Sequence, residues 1–181
     1  MDYTNQLVLT GAIDEVGAPI RTNSGSSYRL GVELDLNWVI SDKWQWQSNL
    51  SLSENKNRDF FFERDAKLQP LGNTNLSFSP NVVGASQLHY KLTERLSIGL
   101  FSKYVGEQFL GNIDSPLSKL EAYGTQDINI QYKMTPNWCE SLQLQLLLNN
   151  ILDKKYVSNG YFYSDDDDWS NPGSITTIEG V

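Results

Sequence analysis

The residues equipped for chemistry are few and scattered. There is one histidine, His89, and one cysteine, Cys139. A single histidine excludes any constellation that needs two, and a single cysteine neither closes an internal disulfide nor gives metal-site spacing. Glu33 and Asp35 stand at i and i+2, which on a strand puts both carboxylates on one face. Such a pair can do acid–base work, but a water-filled wall of balanced charge, including Arg29, accounts for them at least as well. Asp165-Asp166-Asp167-Asp168 is the sharpest local feature. Converging oxygens bind Ca²⁺, yet this run lacks the Gly and Glu spacing of an EF-hand, and adjacent acids point apart. It reads as an acidic, solvated loop, and Asp165 to Asp168 with Asp153 are the group to test for an ion. Phe60-Phe61-Phe62 lies in a long connection, where it either meets an apolar ligand or packs onto neighbouring loops. Arg21, in the preceding long connection, is a further ligand-contact candidate. No nucleophile is paired with a base, so neither an enzyme nor a cofactor is expected.

The elements that must position these groups are strands. Net charge is −8, which argues against nucleic acid, since phosphate binding needs clustered Lys and Arg. No apolar run reaches the roughly 18 residues of a spanning helix, and Met1-Asp2-Tyr3-Thr4 does not open a signal peptide. The period is two almost everywhere. Tyr28, Leu30, Val32, Leu34, Leu36, Trp38 and Ile40 form one face, and Arg29, Gly31, Glu33, Asp35 and Asn37 the other. That is a strand and not a helix. After Ser41-Asp42-Lys43, Trp44, Trp46, Leu50 and Leu52 alternate with Gln45, Gln47, Asn49 and Ser51, which predicts an antiparallel hairpin. Leu96 to Leu100, Asp127 to Met134 and Leu142 to Asn149 repeat the scheme, and Tyr3 to Ile13 and Val82 to Leu92 follow it less cleanly. Seven strands are expected.

Short turns at 41–43, about 93–95 and 136–141 alternate with long connections at about 14–27, 59–80, 107–124 and 153 onward. Tight turns at one end and long loops at the other are the layout of an outer-membrane barrel. Trp38, Trp44, Trp46, Tyr90, Tyr132 and Trp138 lie beside the short turns, while Tyr28, Tyr104 and Tyr123 lie toward the long loops. Two levels of aromatics flanking Leu, Ile and Val make a girdle pattern. A soluble sandwich or lipocalin-like barrel also alternates, and a complete small soluble β-barrel that binds an apolar ligand is the alternative reading. Its Leu ladders would point inward; in a membrane barrel Trp46, Leu34 and Leu144 point outward. The expected fold is therefore all-β: an antiparallel up-and-down meander of about seven long strands, an open segment of a transmembrane β-barrel, in one domain over 1–181. Arg29, Glu33, Asp35, His89, Asp127 and Lys133 are expected to face the lumen.

Several segments then resemble one family. Asn149-Asn150-Ile151-Leu152-Asp153-Lys154-Lys155-Tyr156 resembles the sequence before the last strand of TonB-dependent outer-membrane receptors. Asp2 to Thr10 with Val16-Gly17-Ala18, Asn23 with Tyr28 to Leu34, Leu76 to Asn81, and Lys103 to Leu110 are similar to segments of such receptors of Bacteroidetes type. The resemblance spans nearly the whole chain. It implies a bacterial outer-membrane location and import of a scarce solute (siderophore, cobalamin, haem or glycan). It also implies as partners outer-membrane lipid, the other strands and plug domain of the same chain, and the TonB complex. A plug, a coupling motif and a last strand ending in an aromatic are absent. The chain is thus expected to be an internal fragment of a barrel, with unpaired first and last strands.

Overall fold

The computed structural model describes residues 1–13, 19–23, 25–64, 67–161 and 176–180. Its strands are β1 (Asp2–Thr4), β2 (Leu7–Ile13), β3 (Pro19–Asn23), β4 (Ser26–Val39), β5 (Trp44–Arg64), β6 (Lys67–Asn75) and β7 (Val82–Lys91). They continue with β8 (Leu96–Val105), β9 (Gln108–Phe109), β10 (Lys119–Leu120), β11 (Tyr123–Met134), β12 (Leu142–Leu148), β13 (Tyr156–Tyr161) and β14 (Thr176–Gly180). One antiparallel sheet runs β1-β4-β5-β7-β8-β11-β12, with β6 paired to β5 alongside that path. The ends of the path, β1 and β12, do not pair with each other, so the sheet is open. Three small hairpins, β2–β3, β9–β10 and β13–β14, stand outside it.

Register explains why the alternation in the sequence becomes two chemically distinct faces. Across the five pairings from β4 to β12, even-numbered residues always oppose even-numbered ones. Trp38 meets Trp46, which meets Leu88. Leu88 meets Leu100, Leu100 meets Ile128, and Ile128 meets Leu148. Because the side-chain period is two, this common parity stacks the ladders into one apolar face, and a single-residue slip would scramble it. The odd-numbered face carries Glu33, Asp35, Asn37, Gln47, Gln87, His89, Lys103, Asp127 and Gln131, and it is concave. A groove of about 540 Å³ crosses it from β4 to β11, lined by Asp35, Gln47, Gln87, Phe101, Lys103 and Asp127 among others. The odd face is thus the polar side of the sheet and the even face the mainly apolar side.

The turns that hold this parity are short and closed by hydroxyls. Ser41 Oγ accepts the Lys43 and Trp44 amides at 3.3 and 3.2 Å. Thr93 Oγ1 accepts those of Arg95 and Leu96 at 3.2 and 2.9 Å. Both are local side-chain turns that fix a tight reversal. At the third, the Cys139 amide donates to the Pro136 carbonyl.

The apolar face is uncovered. Leu34 is 56% exposed and Leu144 51%; Trp46 is half-buried on the same face. A sheet with one apolar face must bury that face against something, and contiguous exposed apolar ladders mark an interaction surface. From Leu30 to Trp38 the outward residues extend about 27 Å along the strand. At a tilt of about 40° that is about 21 Å of height, near the apolar band of an outer-membrane barrel. Among the described residues no helix is long and apolar enough to cross a membrane.

The long connections depart from expectation. The strand expected over 44–53 continues as β5 to Arg64, 21 residues in all, and turns back as β6. Residues 54–64 lack a clean period because this hairpin rises beyond the apolar band and needs no lipid face. It also carries register shifts around Phe60, next to Asp59 at φ 48°. The run expected over 3–13 is broken into β1 and β2 at Asn5, φ 57°, whose amide donates to the Gly25 carbonyl. Asn is among the few residues that tolerate this left-handed conformation. The connections expected at 14–27 and 107–124 likewise contain strand, β3 in the first and β9 and β10 in the second.

Candidate ligand-facing surfaces

Glu33 and Asp35 oppose Ser51 and Asn49 on the polar face, and both are exposed. His89 opposes Gln45 on one side and Gly99 on the other. Gln87, Ser97, Phe101, Asn129 and Gln131 line the same hollow as His89, so its neighbours are amides, a hydroxyl and an aromatic ring. Phe101 was not legible as a lumen residue from composition, because it interrupts a polar ladder. Gly99 makes room for it: a Cβ there would lie 3.1 Å from the Phe101 ring. Lys133 lies at the short-turn end opposite Gln143, and its amide donates to the Arg95 carbonyl.

Two charges of the polar face, Arg29 and Asp127, have structural partners. Arg29 Nη1 donates to Ser79 Oγ at 3.1 Å and to Asn55 Oδ1 at 3.5 Å, tying β4 to the segment that follows β6. Asp127 Oδ1 accepts the Asn150 amide at 2.7 Å. A charge-assisted bond to a backbone amide is among the stronger ones available.

That second contact gives the segment Asn149 to Tyr156 a physical meaning. Asn150, at φ 48°, bonds both ends of one residue: its Nδ2 donates to the Lys154 carbonyl and its Oδ1 accepts the Lys154 amide, both at 3.1 Å. The Asp153 amide donates to the Asn150 carbonyl, and Asp153 itself has φ 49°. The Ile151 amide donates to the Gln126 carbonyl of β11, and the Tyr156 ring stacks on Tyr123 at 4.2 Å. The Asn–Asn and Asp–Lys pairs therefore spell a side-chain-closed turn that caps β12, with Tyr156 docking the next strand. Ile151 and Leu152 are exposed.

The three phenylalanines separate. Phe60 is 6% exposed and packs with Leu76, Phe62, Leu71 and Ile113, whereas Phe61 is 54% exposed. The run is thus neither wholly ligand-facing nor wholly core. Arg21 is exposed on the separate β2–β3 hairpin, opposite Leu9, and is not in the sheet that carries Phe61. Asp165 to Asp168 lie outside the described residues. Among the described residues no group of His, Cys, Asp or Glu is placed to hold a metal ion.

Sequence reasoning missed a buried polar cluster beneath the long hairpins. Asn57 and Asn112 are 0% and 2% exposed. Asn57 Nδ2 donates to Thr74 Oγ1 at 3.1 Å and to Asn112 Oδ1 at 3.3 Å, and Asn57 Oδ1 is buried with no partner among the described residues. An orphaned buried acceptor costs about 1–3 kcal/mol, which the packing around it must offset. Nothing in the run Glu54-Asn55-Lys56-Asn57 distinguishes these amides from solvated loop residues. Near the short turns, Trp46 Nε1 donates to Ser86 Oγ at 2.8 Å and Trp44 stacks on Tyr90 at 4.2 Å. An indole at an apolar surface needs such a partner.

With this geometry in hand, likenesses to known proteins are informative. A family model described as TonB dependent receptor-like, beta-barrel, matches residues 1–151. No curated protein matches the sequence. The siderophore receptor PiuA from Acinetobacter baumannii superimposes with a TM-score of 0.70 at 21% identity, covering 98% of this chain and 23% of that one. The ferric yersiniabactin uptake receptor FyuA from Yersinia pestis gives 0.67 at 17% identity, covering 89% and 23%. The copper transporter OprC gives 0.63 at 17%, covering 99% and 26%. At these identities the structures speak for the fold, and this chain spans about a quarter of their length. The two-faced open sheet and the family match over most of its length agree: the chain belongs to the TonB-dependent receptor family, as a part of its bacterial outer-membrane β-barrel.

Proposed function

We propose that this chain is a barrel-wall segment of an outer-membrane receptor that binds a scarce solute outside the cell and imports it with TonB-coupled energy. The observation that carries this reading is the shared parity of the sheet. One largely apolar face from β4 to β12, crossed by the Ser48–Ser86–Ser102 row, suits lipid, and the opposite, polar face suits water. The long-loop end, with exposed Phe61, supplies part of a solute vestibule. The plug domain, the remaining strands and the TonB complex are the partners such a wall requires. No catalytic step is assigned to any residue, in keeping with a family of transporters. Among solute classes, iron–siderophore chelates come first for testing, because several of the similar structures are siderophore receptors; cobalamin, haem and glycans follow. The alternative of a small soluble barrel fits poorly with an open sheet whose Leu ladders face outward uncovered.

The test is uptake. Cells lacking the full-length gene are supplied with a labelled ferric siderophore, cobalamin, haem or an oligosaccharide, with and without the gene restored. Accumulation of one of these that needs both the gene and TonB supports the reading. Accumulation that persists without TonB removes the active-transport part, and a restored receptor that partitions away from the outer membrane removes the whole.

A further inference from the structure

Two of the long connections are joined more tightly than neighbouring loops need to be. The β5–β6 hairpin leads into residues 75–81, and the facing connection spans 106–121. At the base of the seam the bonds are backbone to backbone: the Gly106 amide donates to the Val82 carbonyl at 2.7 Å, and the Phe78 amide to the Phe109 carbonyl at 2.8 Å. Above Phe78 side chains take over the carbonyls' role. Asn112 Oδ1 accepts the Ser77 amide at 2.9 Å, and Asp114 Oδ1 accepts the Asn75 amide at 2.8 Å. Between these two, the Leu76 amide points the other way, to the Asn55 carbonyl of β5 at 3.1 Å. Residues 75–77 therefore behave as a strand whose outer ladder is made of side-chain oxygens.

The seam is dry as well as bonded. Leu76 is 2% exposed and packs with Phe60, while Ile113 from the other connection closes the same cluster. Asn112 reaches across to β5 itself through the Asn57 amide. The second connection is braced internally by the β9–β10 pair, by the Leu110 amide donating to the Ser118 carbonyl, and by Lys119 bridging Glu107 and Glu121. Phe78 and Asp114 hold left-handed backbones at φ 51° and 52°, on opposite sides of the seam. Such conformations persist in non-glycine residues where surrounding contacts over-determine them.

We propose that the 54–77 hairpin and the 106–121 connection form one mechanical unit, with Asn112 and Asp114 as positioning residues that join them. Displacing or stiffening one then displaces or stiffens the other, so contact with exposed Phe61 is felt in residues 106–121. This goes beyond the transport reading and holds whatever solute is carried.

Hydrogen exchange on the full-length receptor in lipid vesicles tests it, comparing the wild type with Asn112→Ala, Asp114→Ala and Asp114→Asn. Asn112→Ala removes the acceptor of two donors, so exchange across both segments is expected to rise about tenfold together, with β4 and β12 unchanged. Asp114→Asn keeps an acceptor oxygen and is expected to remain near the wild type, whereas Asp114→Ala loosens both segments. If Asn112→Ala also strips protection from the wall strands, the Asp114 pair decides by the same criterion. Loosening confined to 54–77, with 106–121 at wild-type protection, overturns the proposal.

Discussion

Replacing Leu34 with Arg places a cation at the centre of the outward face. Leu34 stands midway between Leu30 and Trp38 on β4 and opposes Leu50 on β5, so it lies near the middle of the apolar band. At that depth an Arg facing lipid costs about 2–4 kcal/mol, falling to about 0–1 near either interface. The neighbouring Glu33 is exposed on the other, polar face, paired with Ser51, where Arg stays in water and changes stability within about 0.5 kcal/mol. One residue of displacement along the chain should thus alter the folding equilibrium by about 30- to 1,000-fold, at about 1.4 kcal/mol per decade. Reversible urea unfolding of the full-length receptor in phospholipid vesicles, followed by tryptophan fluorescence, measures both variants against the wild type. Equal costs at 33 and 34, or the larger cost at 33, would refute the parity argument and with it the assignment of the two faces.

Phe60→Ala should lower local stability by about 3 kcal/mol or more, as large-to-small changes in packed clusters do, seen as faster exchange at Leu76. Phe61→Ala should leave that exchange unchanged, and weaker solute binding by this variant would assign Phe61 to the vestibule. Asn150→Ala deletes both bonds to Lys154 and should destabilise the turn by about 1–3 kcal/mol, read as proteolytic nicking near 150–155. Asn150→Asp, which keeps the acceptor for the Lys154 amide, should recover part of that loss. Gly31→Ala sets a Cβ 2.6 Å from the Leu52 carbonyl oxygen, so the β4–β5 ladder must shift. A lower midpoint in the same urea assay, by about 1–3 kcal/mol, checks it.

How much of this was legible depends on whether the physics was periodic. The wall was readable because lipid on one side and water on the other impose a period of two, and every short turn keeps parity. The upper hairpins were not, because beyond the apolar band both faces of a ribbon can be wet and the alternation fades. Phe60 and Phe61 are indistinguishable by type, and register shifts beside Asp59 decide which is buried. Asp127 read as a lumen charge because its parity is right, yet the residue it serves, Asn150, is 23 positions away. Asn57 and Asn112 are 55 positions apart. Partners separated by that much chain leave no spacing signal in a single sequence.

The proposed function carries an expectation about where specificity resides. A one-layer sheet has little core of its own, and among the described residues the buried apolar ones, Phe60, Leu76, Val105, Leu110 and Leu120, are gathered toward the long-loop end. On the proposed reading the wall's stability would come from lipid and from neighbouring strands, both of which are indifferent to the solute. Substitutions on the even face then change stability with little reach into recognition, while those on the odd face meet water or whatever fills the lumen. The long-loop end holds the buried cluster of Phe60 and Leu76, and preorganisation of that kind is what selective binding requires. Solute selectivity contributed by this chain should accordingly map to the 54–81 and 106–121 segments, not to Glu33, Asp35 or His89.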